Sequence, residues 1–343
     1  MQRTFVSTAL ACAAALVLGS SLTAAHAQNQ TSTVTPLAPA SDLPFRVEVR
    51  RLETAAMALP TLHSFAAAEY DGKWILFGGR TNGMHGFETA TPALNFPASS
   101  QNLDVWVIDP VSRQTWRRSL SDGTSGLSAA AITALSTSHA QSAQKGDRFY
   151  IVGGYSIVSG ANGTLNTLTA ISLPGMLAWA MGGPGTAAPF VRQTADPLLT
   201  VTGGHMLELN NRMQLIMGNN FVGEYLPTRS GTYTRQVRSF DIVDDGVTVA
   251  VANWASTPTN NNYRRRDLNV VPQIRPDGAN GTLTAAAALS GVFTPTDGAW
   301  TVPVDIDPTG TPSMASAAAA TTFKQGFNGY ETASLGLYGA ASR

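Results

Sequence analysis

Three stretches share one pattern: Trp74-Ile75-Leu76-Phe77-Gly78-Gly79, Phe149-Tyr150-Ile151-Val152-Gly153-Gly154 and Gln214-Leu215-Ile216-Met217-Gly218-Asn219. Each is an apolar run that stops at small residues. Each also follows a tight turn, Asp71-Gly72-Lys73, Lys145-Gly146-Asp147 or Asn210-Asn211-Arg212. A short apolar run behind such a turn is the second arm of a β-hairpin. Further strands follow the first and third, at Leu103 to Asp109 and Val237 to Ile242, and a tryptophan follows each run, Trp116, Trp179 and Trp254. Glycines 79 and 154 stand 75 residues apart. Fainter copies occur at Leu289-Ser290-Gly291-Val292-Phe293 and Leu335-Gly336-Leu337-Tyr338-Gly339. Self-similarity at such a period indicates a repeat architecture, and four short strands per repeat indicate a propeller blade.

This combination of hairpin, paired glycines and a later tryptophan resembles the kelch motif. The resemblance runs from residue 44 to 343 and implies an all-β, kelch-like β-propeller of four to five blades. Gly78, Gly79, Gly153, Gly154 and Gly218 would be its structural glycines, letting backbones pack closely with positive φ. In the third copy Asn219 is read as standing for the second glycine. The units exceed the ~50 residues usual for kelch, which predicts insertions at 81–101, 121–136 and 182–198. The last unit starts near Gly326 and only Ala340 to Arg343 follow its hairpin, so the last blade is expected to be incomplete and the ring not to close, with closure by four blades as the alternative.

Toward the N-terminus, Met1-Gln2-Arg3-Thr4, the apolar run from Phe5 to Leu18 and Ala25-His26-Ala27 have the order of a secretory signal peptide. The reading is residues 1–27 cleaved before Gln28, then a polar linker over 28–43 and a half-buried strand from Phe45 to Arg50. Cys12, the one cysteine, lies inside the apolar run, so the mature chain would have no disulfide or thiolate ligand. Periplasmic or extracellular localisation follows, with no membrane span after cleavage. The net charge is zero, only 13% of residues are charged, and Arg264-Arg265-Arg266 meets Asp267 at once. That argues against a nucleic-acid partner.

Four residues are candidates for ligand binding. Arg80 and His85 sit in the loop after the first glycine pair, where a rigid β scaffold commonly carries function; a lone histidine there is otherwise expected at the surface. Arg266 and Asp267 are expected at the mouth of the axial channel, as an Arg–carboxylate pair for a sugar or carboxylate ligand or as a structural ion pair between blades. His63, His139 and His205 are read in one shared register before the hairpins, on separate blades, each bonded to backbone, with no metal bound. Asn162-Gly163-Thr164 and Asn280-Gly281-Thr282 read as surface turns. No nucleophile elbow, zinc-protease motif or phosphate loop is present, and no cofactor is expected.

The function read from this is an exported module that binds a glycan or protein through loops on one propeller face. The resemblance also brings an enzymatic alternative, a periplasmic epimerase like the sialic-acid mutarotases. Copper radical oxidases of the same superfamily use a cysteine–tyrosine cross-link, for which the mature chain has no cysteine.

Overall fold

The computed structural model describes Glu48 and residues 57–334, apart from positions 159, 227, 230, 280, 297, 327, 331 and 333. The expected leader, the linker, the strand from Phe45 to Arg50 (Glu48 apart) and everything from Leu335 onward lie outside the described residues. The rest falls in the compact unit Glu53–Arg343.

The fold is all-β and propeller-like: four antiparallel sheets of four strands each. The first sheet is a meander of β1 (Ala66–Tyr70), β2 (Lys73–Phe77), β3 (Asp104–Asp109) and β4 (Gln114–Ser119), followed by α1 (Ala129–Leu135). The second begins with β5 (Gln141–Lys145) and β6 (Arg148–Val152) and adds a small ribbon, β7 (Tyr155–Val158) with β8 (Ala161–Thr164). It then continues through β9 (Thr167–Ser172), α2 (Leu173–Ala180) and β10 (Val191–Ala195). The third holds β11 (His205–Leu209) and β12 (Arg212–Ile216), a two-residue ribbon of β13 (Asn219–Asn220) and β14 (Thr232–Tyr233), then β15 (Val237–Asp244) and β16 (Val249–Ser256). The fourth is β17 (Asn269–Pro276), β18 (Thr282–Leu289), β19 (Val304–Ile306) and β20 (Pro312–Ser313). Pro272 and Pro276 sit on β17, an edge strand of its sheet, where a missing N–H is tolerated.

The apolar runs are continuous because the inner sheets are covered on both faces. Phe149 and Ile151 of β6 pack toward Ile75, Phe77, Val105 and Val107 of the first sheet, with the Phe77 and Phe149 rings 5.9 Å apart. The alternate residues Tyr150 and Val152 face Met206, Met213, Leu215 and Phe240 of the third. Ile216 and Val237 in turn meet Val270, Ala286, Ala288, Val304 and Ile306 of the fourth. Period-two side chains on a strand buried on both sides leave no polar alternation to read.

The glycine pairs join neighbouring sheets. Gly79 N–H donates to the Thr137 carbonyl at 2.9 Å, Gly154 to Val201 at 2.8 Å and Gly218 to Arg265 at 2.9 Å, always one sheet onward. In the fourth sheet Gly291 N–H instead donates to Asn328 Oδ1 at 3.2 Å. The third copy is corrected by one residue. Met217 (φ 56°) and Gly218 (φ 83°) occupy the two left-handed positions, as Ser290 (φ 51°) and Gly291 (φ 97°) do in the fourth; Asn219 is the residue after the pair.

Other expectations also shift. The 182–198 stretch is not an insertion outside the blade, because it supplies β10, the fourth strand of its sheet. Trp116 and Trp254 lie on the last strands of their sheets, whereas Trp179 is buried on α2. Asn162 to Thr164 is strand rather than turn. Among the described residues no helix is long and apolar enough to cross a membrane.

Candidate functional site

The residue fifteen before the second left-handed position is Ser64, His139 and Gly203 in the first three sheets. Asp267 takes the same structural place in the fourth, where the β17–β18 hairpin is longer. In each sheet the preceding residue bridges to the one after the glycine pair: His63 to Arg80, Ser138 to Tyr155, Thr202 to Asn219, Arg266 to Val292. All four residues are left-handed, with φ of 55°, 54°, 64° and 50°. Their backbones form a ladder across the sheets. His139 N–H donates to the Ser64 carbonyl at 3.1 Å, Gly203 to His139 at 3.0 Å and Asp267 to Gly203 at 2.8 Å. Left-handed backbone favours glycine, yet three of the four carry a hydroxyl, an imidazole and a carboxyl.

His139, Gly203 and Asp267 line a pocket together with Thr202, Asn219, Arg266 and a wall of rings. It encloses about 50 Å³, room for a few waters at ~10–15 Å³ each. The wall comes from three separate insertions. His85 and Phe96 belong to the 81–101 loop, Tyr155 opens the β7–β8 ribbon, and Phe221 and Tyr225 follow β13. The His85 ring stands 4.1 Å from Tyr225 and 5.1 Å from Phe96; Phe96 lies 5.1 Å from Tyr155, and Tyr155 5.7 Å from Phe221. Hydrogen bonds pin the loops to one another. Asn95 Nδ2 donates to the Tyr225 carbonyl at 2.9 Å, Tyr155 Oη to the Gly223 carbonyl at 2.7 Å, and Thr164 Oγ1 to the Phe221 carbonyl at 2.9 Å.

Three of the four candidate residues line this pocket, and the fourth supports it. Arg266 is nearly buried, its guanidinium 4.7 Å from the Phe293 ring centroid and its Nε 3.4 Å from Asp267 Oδ2. Nε itself makes no hydrogen bond. The pair therefore lies within one sheet and faces the pocket, rather than tying two blades together. Arg80 sits beneath the wall, 4.6 Å from the Phe96 centroid, bonded to Asn82 Oδ1 and the Pro97 carbonyl. His85 is not the expected surface histidine: it is sandwiched among rings and its Nδ1 meets the Gly86 carbonyl at 2.8 Å.

Burial sets the protonation of the pocket. Desolvation holds the His139 imidazole down to about 3, with the neighbouring cationic groups adding to it, and lowers His85 as well. Both rings are neutral at pH 7. Burial pushes the Asp267 carboxyl up, against the opposing Arg266 charge, and raises the Tyr225 hydroxyl. The site thus combines one guanidinium, a carboxyl whose pKa burial raises, and neutral imidazoles.

The three histidines do not share a register. His63 lies sixteen residues before its second left-handed position, His139 fifteen and His205 thirteen. His205 is the first residue of β11, paired with Ile216, so it is set apart from the other two. His63 and His139 are neighbours, with ring centroids 5.6 Å apart. Among the described residues no group of three or more His, Cys, Asp or Glu side chains could hold a metal ion. The rings of Phe96, Tyr155, Phe221 and Tyr225 had no local sequence signal, but the constant offset of fifteen to Ser64, His139 and Gly203 was one.

No known protein-family profile matches the chain, and no curated protein matches it. Solved structures do, among them one titled "Structure of YjhT", at 12% identity and a TM-score of 0.44, covering 78% of this chain and 68% of that one.

Proposed function

We propose that this chain is an exported kelch-type propeller whose axial pocket binds a glycan end bearing a carboxylate. The observation that carries this is the meeting of Arg266 with four aromatic walls from three insertions. A sugar ring offers apolar C–H faces that pack on aromatic rings. Its carboxylate suits the Arg266 guanidinium, whose Nε makes no hydrogen bond and whose neighbouring carboxyl, Asp267, has its pKa raised by burial.

Calorimetric titration of the chain from Gln28 with sodium D-glucuronate and with D-glucose tests this. Glucuronate should bind more tightly, and Arg266→Ala should weaken it at least ~10-fold, as expected for a charge-assisted bond. Equal binding of the two sugars, or binding indifferent to Arg266→Ala, would sink the reading. An epimerase is the second reading, favoured by a neutral imidazole and a carboxyl with its pKa raised by burial in one pocket. Faster exchange of glucuronate anomers in NMR spectra, lost in Asp267→Asn, would support it.

A further inference from the structure

The hydroxyl of Ser64 lies between two imidazoles. Its Oγ is 2.9 Å from His63 Nδ1 and 2.8 Å from His139 Nε2. His139 lines the axial pocket, and Ser64 and His63, which do not line it, are both part-exposed. Ser64 and His139 both hold left-handed backbone in places where Gly203 shows that glycine serves. Non-glycine residues in that region are strained and collect at functional sites.

We propose that His139, Ser64 and His63 form a proton relay between the axial pocket and solvent. This rests on the pocket being a ligand site and adds what the site does to the ligand: it exchanges one proton with a hydroxyl-bearing molecule.

One hydroxyl hydrogen between two ring nitrogens allows two arrangements. In the first, His139 Nε2–H donates to Ser64 Oγ and Ser64 O–H donates to His63 Nδ1, so both rings carry hydrogen on Nε2. In the second the direction reverses and both carry it on Nδ1. A ligand hydroxyl that gives a proton to His139 Nδ1 drives the first arrangement into the second. The Nε2 hydrogen passes to Ser64, the Ser64 hydrogen passes to His63 Nδ1, and His63 releases its Nε2 hydrogen to water. One proton enters and one leaves, every residue ends neutral, and the ligand keeps the electron pair of its O–H bond. The two rings must therefore share one tautomer.

Long-range ¹⁵N spectra of the ring nitrogens test this on the ligand-free protein at pH 7. The wild type should show His63 and His139 in the same tautomer. Ser64→Gly removes the hydroxyl and suits the left-handed backbone, so folding is preserved. It should uncouple the two tautomers and slow exchange of the His139 ring proton with water at least ~5-fold, leaving His205 unchanged. Opposite tautomers in the wild type, or an exchange rate unmoved by Ser64→Gly, would overturn the relay. Glucuronate titration of the same variant separates the two ideas. Its affinity should stay within ~2-fold of wild type, and absence of binding in both proteins would reject the ligand reading while the ring spectra still judge the relay.

Discussion

A Cβ built on Gly153 would lie 2.1 Å from the Val201 carbonyl oxygen, and one on Gly78 would lie 2.2 Å from that of Thr137. Both obstacles are backbone atoms of the next sheet, which cannot swing aside. Gly146 has nearly the same φ, 61° against 62°, but nothing within 4 Å. The two positions separate backbone strain from close approach. Gly146→Ala should show only the left-handed penalty, roughly 1 kcal/mol. Gly153→Ala adds overpacking and should lose roughly 2–5 kcal/mol. Urea midpoints check this, and equal losses for the two would refute the close contact. Equivalent positions thus differ in what fixes them: at 78 and 153 the neighbouring sheet dictates glycine, whereas at 64, 139 and 267 there is room for chemistry.

At the scale of elements, hairpins were legible in the sequence because turn and apolar run are adjacent along the chain. Longer-range features were less so. The helix Leu173–Ala180 is apolar all round and mostly buried, so it shows no amphipathic period. The β13–β14 ribbon is two residues wide, and its meaning lies in bringing Phe221 and Tyr225 over the pocket. Arg266, Asp267 and His85 were readable as candidates from polarity and loop position. Their aromatic partners were not, because that wall exists only once loops from three sheets meet. Asn95 holds this lid: Oδ1 accepts from Glu88 N–H at 2.7 Å, and Nδ2 donates to the Glu88 and Tyr225 carbonyls. Asn95→Ala removes all three of these bonds, at roughly 1–3 kcal/mol. Hydrogen exchange should rise in the 81–101 and 221–226 segments and stay unchanged in β6 and β12. Uniform exchange across all of these would contradict a local lid.

For the whole molecule, pH dependence follows from groups that titrate differently in the folded chain. Burial lowers His139 to about 3 and His205 to about 4, from 6.5. Between those values and 6.5 the unfolded chain binds protons that the folded chain refuses. Stability is therefore full above pH 6.5 and falls below it, by about 1.4 kcal/mol per pH unit for each ring. His205→Gln should remove roughly 1 kcal/mol of that loss between pH 6 and 5. Asp244 adds a second stage. Burial would raise its pKa, but the bidentate Arg192 pair at 2.9 Å, the Gly246 N–H and Arg148 prevail and lower it. A lowered carboxyl stabilises fully above its unfolded value near 3.8 and loses that contribution as pH falls through the folded one. Because Arg148 and Arg192 belong to the second sheet and Asp244 to the third, this later stage loosens the joint between them. Urea denaturation at pH 7, 6, 5, 4, 3 and 2 checks the order; a flat profile between 7 and 5 would exclude buried neutral histidines.

The pocket wall has a kinetic consequence. His85 and Asp267 face one cavity although 182 residues separate them along the chain. Such non-local pairing closes late in folding, after the entropy of several long loops has been overcome. A molecule held there recognises only the finished arrangement. It would leave the rate of folding untouched and act wholly on escape from the native state, so occupancy would lengthen the lifetime of the fold.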